Sequence, residues 1–317
     1  MSQSSFQPLP FIKRLSSINH RQGKQETKAA ELIMSVLDEY GVKYIKQYYQ
    51  TRIPNFISAT LTVDGKKIPA IPTSFVSGEI TSNYSMISSL ISSQRFITDS
   101  NINFNPRAKS ISRSNHYFAP AIAVAPKYLK QICDAKKVHA VVKVEPEKHR
   151  SLNMLVGNTE NPKNIVFAHY DSIGPGAIDD ASGIALLLQS IIEKPKTLEQ
   201  TLYVISGNEE LSYDKPLYWG YGYRVFEKKY SQQLQKAKQI ICVDCIGHAK
   251  PEIFTDPGIV RLGLPLANLA KWQKKTAMLS GDIDALMEVY HSDDDTFEKI
   301  DPKQYVAAYK TFQKMIV

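Results

Sequence analysis

Between Lys24 and Tyr40, apolar side chains recur at Ala30, Ile33, Leu37 and Tyr40, a spacing that lays one apolar stripe along a helix. Gly41 follows, where a left-handed cap residue would end it. Residues 42–51 then read as a strand. Beyond Pro54 the pattern breaks into short β-type runs separated by Gly, Pro, Asn and Ser. Residues 59–63 run into Asp64-Gly65, a hairpin turn pair. Residues 93–114 are polar and irregular, and strands at 121–125 and 140–144 flank a helix expected over 127–135. After Ser151, strands and helices alternate. Strands are expected from Asn164, at 201–206, 239–244 and 287–290, and helices at 181–193 and 224–238. A final helix begins at Asp301-Pro302, an N-cap carboxylate followed by a proline suited to the first turn. This alternation predicts an α/β fold with a mostly parallel central sheet flanked by helices on both faces. It divides the chain into a domain of 1–53 plus 149–317 and an inserted β-rich domain of 54–148. No internal repeat is visible.

Composition narrows the class. The 317 residues are ordinary for a globular protein and supply enough apolar side chains for a substantial core. Apolar runs such as 184–188 are far too short to span a bilayer. The opening stretch 1–8 lacks an apolar core of the secretory type, so a cytoplasmic location is expected, with no membrane partner. Only Cys133, Cys242 and Cys245 occur, which fits a reducing compartment. Cys242 and Cys245 straddle Asp244, but on a strand their side chains point to opposite faces, against a thiolate or redox pair. The net charge of +8 is carried by scattered Lys and Arg with short clusters such as Lys136-Lys137 and Lys274-Lys275. That reads as a solvated basic surface rather than a nucleic-acid footprint.

The chemistry gathers at strand ends. The strand from Asn164 leads to His169, the next to Glu209-Glu210, the third contains Asp244, and the fourth leads to His291. In α/β sheets the carboxyl ends of strands are where ligands collect. His, Asp and Glu without thiolates suit zinc or a related divalent ion. Each residue alone has a plainer reading: His169 as a structural histidine, Asp180 as an N-cap, Glu209-Glu210 as a solvated pair, and most of Asp293-Asp294-Asp295 as solvated charge. Asp179 lies outside the capping position, and Asp244 is a carboxylate in an apolar run, costly unless paired or metal-bound. Four such strand ends in one domain favour a metal site.

These residues carry a resemblance. His169-Tyr170-Asp171-Ser172, the run from Gly176 through Asp179-Asp180 to Gly183, Asn208-Glu209-Glu210-Leu211, Asp244 with Gly247, and His291 ahead of Asp295-Thr296 resemble the co-catalytic di-zinc aminopeptidases of the bacterial leucine aminopeptidase and aminopeptidase Y type. Glutamate carboxypeptidase, the transferrin receptor and glutaminyl cyclase belong to the same clan. The resemblance implies a zinc-exopeptidase fold and two divalent ions, zinc. His169 and Asp244 would hold one ion, Glu210 and His291 the other, and Asp179 would bridge them. Glu209 would be the general base, and Asp171 would orient His169. The inserted 54–148 domain resembles a protease-associated module. The implied activity is metal-dependent release of N-terminal residues from peptides with a free N-terminus.

The chain departs from the family in two places. Ser212 to Trp219 replace the usual short Gly-rich step, so Tyr218, Trp219 and Tyr221 either shape a substrate pocket or simply pack. Asp282 occupies a Ser-Gly-Asp-Ile-Asp stretch where the family carries a histidine, and it is the remaining substrate-contact candidate. Other reactions stay open on the same ligands. A carboxypeptidase or dipeptidase would need a basic clamp, for which Arg224 and Arg261 are available. A glutaminyl cyclase uses one zinc and lacks the Asp-Asp-Ala-Ser-Gly run. A non-enzymatic binding module would be marked by lost ligands, and every ligand position is filled here.

Overall fold

The structure is a computed structural model that describes residues 5–81, 83–90 and 98–316. Part of the irregular stretch read at 93–114, residues 93–97, lies outside the described residues, as does part of the opening segment, residues 1–4. The helices are α1 (Pro8–Ser16), α2 (Lys24–Glu39), α3 (Leu129–Cys133), α4 (Ser182–Glu193), α5 (Tyr221–Lys236), α6 (Pro257–Gly263), α7 (Leu269–Trp272), α8 (Ile283–Leu286) and α9 (Pro302–Met315). The strands are β1 (Tyr44–Val63), β2 (Lys66–Ile68), β3 (Ile71–Pro72), β4 (Gly78–Ile80), β5 (Ser85–Ser88), β6 (Asn101–Phe104) and β7 (Ala121–Ala123). They continue with β8 (Val138–Gly157), β9 (Asn164–His169), β10 (Thr201–Ser206), β11 (Gln239–Val243), β12 (Glu252–Phe254) and β13 (Thr276–Ser280). No helix among the described residues is long and apolar enough to cross a membrane.

The chain forms two compact units: 1–51 with 149–283 and 295–317, and 52–148 with 284–294. The first is a mixed α/β unit whose strands follow the order β12-β13-β11-β9-β10-β8-β1. The inner four strands are parallel, with Val166 opposite Tyr203 and Ile241, and Ile241 opposite Ala277. Outside them the pairing reverses: β8 runs antiparallel to β10, and β12 to β13. Parallel pairing is therefore confined to the inner strands, and the sheet as a whole is mixed, not mostly parallel. Every residue of β9 and β10 is buried, because helices cover both faces. Ile165, Phe167, Leu202, Val204, Ile240 and Cys242 pack with α5, α6 and α7. On the other face Tyr203 meets α4 through Ser190, with their hydroxyl oxygens 2.9 Å apart.

Several elements differ from the sequence reading. β1 is one continuous strand through Pro54 rather than two. α1, α6 and β13 were not anticipated, although α6 opens on Asp256-Pro257, the same cap-and-proline pair as α9; β13 is buried throughout, so its placement is set by packing. Residues 287–290 are not a strand: α8 ends at Leu286 and the chain turns, Tyr290 N–H donating to the Leu286 carbonyl at 2.9 Å. Asp301 caps α9 as expected, accepting from the Lys303 amide at 2.7 Å.

In the second unit, Asp64 and Gly65 both take positive φ, 47° and 81°, and pair Thr62 with Lys67 across the hairpin. A separate sheet has the order β3-β7-β6-β5. The core includes Leu61, Val63, Ile80, Ile102, Ile122, Ile132 and Val142. Residues 284–294 belong to this unit through tight polar contacts. Asn105 Nδ2 donates to the Met287 carbonyl at 2.8 Å, Ser112 Oγ to the Tyr290 carbonyl at 2.6 Å, and the Arg113 amide to the His291 carbonyl at 2.9 Å.

Candidate metal centre

His169 ends β9, and Asp244 directly follows the neighbouring strand β11. Parallel pairing of those strands carries both to the same sheet edge. The loop after β9 returns Asp179 to that edge. His169 Nε2 lies 3.1 Å from Asp179 Oδ1 and 3.7 Å from Asp244 Oδ1. All three side chains are buried, and one ligand atom from each falls within 4.8 Å of the others. On the other ring nitrogen, Nδ1–H donates to the Asp171 carbonyl at 3.2 Å. That bond fixes the tautomer and leaves Nε2 aimed at the carboxylates.

Two buried carboxylates converging on one imidazole form a site for positive charge. Burial pulls the His169 imidazolium down, but Asp171, Asp179 and Asp244 together hold its pKa well above the ordinary value. Burial also pushes the Asp180 carboxyl well above its usual range, with Asp244 adding to it and His169 opposing. Oxygen and nitrogen donors, excess negative charge and burial fit a divalent ion of the zinc type.

Asp171 does more than stand beside His169. Its Oδ1 accepts from the Glu209 amide and its Oδ2 from the Glu210 amide, both at 2.9 Å. Gln22 Nε2 donates to Oδ2 at 3.1 Å. One carboxylate thus fixes the backbone of both glutamates, which leave β10 through Asn208, a residue at φ 50°. Glu209 is 5% exposed, and its Oε1 has no hydrogen-bond partner among the described residues. Burial raises its pKa well above the carboxylate range, with His169 opposing and Glu210 and Asp171 adding to the rise.

Beneath this loop lies a buried polar cluster. Tyr49 O–H donates to the Gly207 carbonyl at 2.7 Å, and Ser151 Oγ donates to Glu26, whose Oε2 stands 3.1 Å from His149 Nε2. Gly207 leaves no room for a side chain: a Cβ there would come within 2.5 Å of Glu26 Oε1 and of the Tyr170 hydroxyl.

His291 lies in the second unit, in the turn after α8, at φ 51°. Its Nδ1–H donates to the Arg113 carbonyl at 3.3 Å, the same tautomer-fixing arrangement that His169 has. Asp293 pairs with Arg113 at 3.0 Å and is solvated as expected. Asp295 is not solvated. It is 1% exposed, and its carboxylate accepts from the Ile178 amide at 2.8 Å and the Asp179 amide at 3.1 Å. Burial raises its pKa to about 7. Arg21 holds the same loop, donating to the carbonyls of Tyr170, Pro175 and Gly176. The sequence reading missed Arg21, Glu26, His149 and the full role of Asp295. An arginine and a glutamate in or near an otherwise ordinary helix gave no local sign of burial.

The aromatic loop is a packed structure. Arg224 donates to the carbonyls of Trp219 at 2.5 Å, Leu217 at 2.9 Å and Asp214 at 3.2 Å. Tyr218 and Trp219 meet edge to face at 5.0 Å, as do Tyr49 and Tyr221 at 5.8 Å. Asp282 is exposed, with its carbonyl accepting from His248 Nε2 at 3.0 Å. Cys242 and Cys245 have separate partners, the Gly263 carbonyl and Asp244 Oδ1, and all three cysteines are free.

Residues 152–284 match Peptidase family M28. No curated protein matches the chain. Among solved structures, BSAP, a zinc aminopeptidase from Bacillus subtilis, superposes with a TM-score of 0.68 at 14% identity, covering 98% of this chain and 93% of that one. An aminopeptidase from Aneurinibacillus sp. strain AM-1 gives 0.62 at 17%, covering 96% and 92%. A glutaminyl cyclase from Fimbriiglobus ruber gives 0.53 at 12%, covering 99% and 97%. At these identities the structural likeness establishes a shared fold. The resemblance read from the sequence is thus met over residues 152–284, which carry a Peptidase family M28 domain and mark the protein as an enzyme of the metallopeptidase class.

Proposed function

We propose that the protein is an aminopeptidase that uses two zinc-type ions and Glu209 as its general base. The observation that carries this reading is the Glu209 carboxyl: buried, unbonded at Oε1, and held by its own amide to Asp171 beside the ligand cluster. His169, Asp179 and Asp244 would hold one ion. Glu210 and His291, with Asp179 shared, would hold the second, as the family resemblance implies. Bound there, the ions would supply Lewis acidity, making water more acidic and polarising the scissile carbonyl.

The chain's own residues supply the rest. Glu209, with its raised proton affinity, takes a proton from the attacking water and returns it to the departing amine nitrogen, a base that becomes an acid. Asp171 keeps Glu209 and Glu210 at fixed positions by binding both amides. Burial excludes bulk water from both glutamates, so the proton has few competing destinations. The concentration of buried carboxylates at this edge suits a substrate's α-ammonium group. Arg224 commits its guanidinium to three backbone carbonyls, and Arg261 is exposed on α6, so neither supports a carboxypeptidase clamp.

The test is to incubate zinc-loaded protein with peptides bearing free or acetylated N-termini and follow the products by mass spectrometry, with and without a chelator. Stepwise N-terminal shortening of free peptides only, abolished by chelator, is expected. Shortening from the C-terminus, or equal cleavage of acetylated peptides, would overturn the aminopeptidase reading. Loss of ammonia from N-terminal Gln without shortening would reassign the site to cyclisation.

A further inference from the structure

The net charge of the chain is not spread evenly. Residues 52–148 contain thirteen Lys and Arg against six Asp and Glu, a surplus of seven out of the +8 of the whole chain. Within the second unit this charge borders a half-open cavity of about 740 Å³. Thr62, Thr81 and Tyr84 supply hydroxyls to its wall, Lys136 and Lys137 supply positive charge, and His139 adds an imidazole. Lys67, paired with Thr62 across the hairpin, projects from the same face. No carboxylate lines the cavity among the described residues.

Three carboxylates close to this charge in the chain or across the sheet, Asp64, Glu79 and Asp134, are already engaged, Asp134 with Lys130 at 2.6 Å. Asp64 accepts from the amides of Lys136 (3.1 Å) and Lys137 (2.8 Å), and its own amide donates to the Lys137 carbonyl at 2.9 Å. The hairpin turn therefore staples the lysine-bearing loop by its backbone and leaves both side chains to project. Glu79 lies 3.5 Å from His139 Nε2, which offsets that histidine and leaves the lysines without a counter-charge from the wall. A backbone fixed in advance lowers the ordering cost of a partner that binds there.

We infer that this cavity is a binding site for a short acidic peptide segment carrying at least two carboxylates, separate from the hydrolytic centre. Its size is that of sites that enclose ligands larger than a single ion. Lys136 and Lys137 line it from the loop before β8, and Lys67 stands beside it on the β1–β2 hairpin as the partner of the lining residue Thr62, so separated negative charges match it better than one. Its hydroxyls can donate to the same carboxylates or to peptide carbonyls. Peptides are also the molecules a metallopeptidase encounters. The inference does not depend on Glu209 or on the number of metal ions.

The experiment is isothermal titration of the full-length, zinc-loaded protein with N-acetylated, C-amidated tetraglutamate, using tetraglutamine as the control. Two charge-matched variants are compared: Lys136→Ala/Lys137→Ala at the cavity, and Lys143→Ala/Lys148→Ala on the exposed part of β8. The expected result is binding of tetraglutamate only, weakened at least tenfold by the first pair and less than twofold by the second. Equal weakening by both pairs would reduce the effect to diffuse surface charge and overturn the site. Equal binding of tetraglutamine would overturn the acidic specificity. Complete displacement by an equimolar amount of inorganic phosphate would show that a lone anion, not a peptide, is the ligand.

Discussion

Asp171→Asn tests the claim that one carboxylate positions both glutamates. In the wild type, Oδ1 and Oδ2 each accept a backbone amide at 2.9 Å, from Glu209 and Glu210. Asn keeps the shape but offers one acceptor oxygen and one NH2. One amide keeps its partner, and the other meets a donor. A charge-assisted hydrogen bond contributes roughly 1.5–3 kcal/mol, and the second bond weakens as well, since its acceptor is no longer charged. At 1.4 kcal/mol per factor of ten, the displaced loop should cost about 10- to 150-fold in the property it controls. The same range is typical of residues that orient metal ligands. The assay measures kcat with saturating zinc, zinc affinity by chelator competition, and the fraction folded by circular dichroism. We expect kcat and zinc affinity both to fall by about 10- to 100-fold in a protein that remains folded. Wild-type kcat per folded molecule, with wild-type zinc affinity, would refute the reasoning and leave Asp171 a packing residue.

Glu209→Gln should retain zinc, measured by competition, while kcat drops by roughly 10²- to 10⁴-fold, the range for loss of a general base. Metal-free protein should lose stability as pH rises from about 4 to 7. Asp295, raised to about 7 in the fold, binds a proton there that the unfolded chain has released, so its stabilising protonation is lost through that window; three units correspond to about 4 kcal/mol. Denaturant midpoints of chelated protein across that range check the sign, and a midpoint that climbs with pH would contradict it. Gly207→Ala should destabilise by about 1–3 kcal/mol, because the new methyl group meets Glu26, Tyr170 and Ser151 at once in a buried cluster; urea unfolding reads it. Arg224→Ala should release the 211–219 loop, lowering stability by roughly 1–3 kcal/mol and altering Trp219 emission.

The sequence by itself determined three of the four inner strands and marked the polar residues at their ends. Residues 164–169, 201–206 and 239–243 each hold a continuous apolar run of four flanked by polar residues, a pattern that suits a short strand covered on both faces. His169 and Asp244 were legible because polar residues at the ends of apolar runs stand out, and Asp179 because it lies one residue outside the capping position before α4. The tertiary structure decided what neighbours they have. Asp171 binding the amides of residues 38 and 39 positions away, Asp295 binding the Ile178 amide across 117 positions, and Arg21 clamping Tyr170 across 149 leave no local periodicity to read. The turn at 287–290 looked like a strand because four mostly apolar residues fit either form; the tertiary bonds of Asn105, Ser112 and Arg113 to that segment chose the turn and placed His291 in the second unit. Local pattern sets which faces must be buried, whereas long-range hydrogen bonds set which buried groups meet, and a hydrolytic site depends on both.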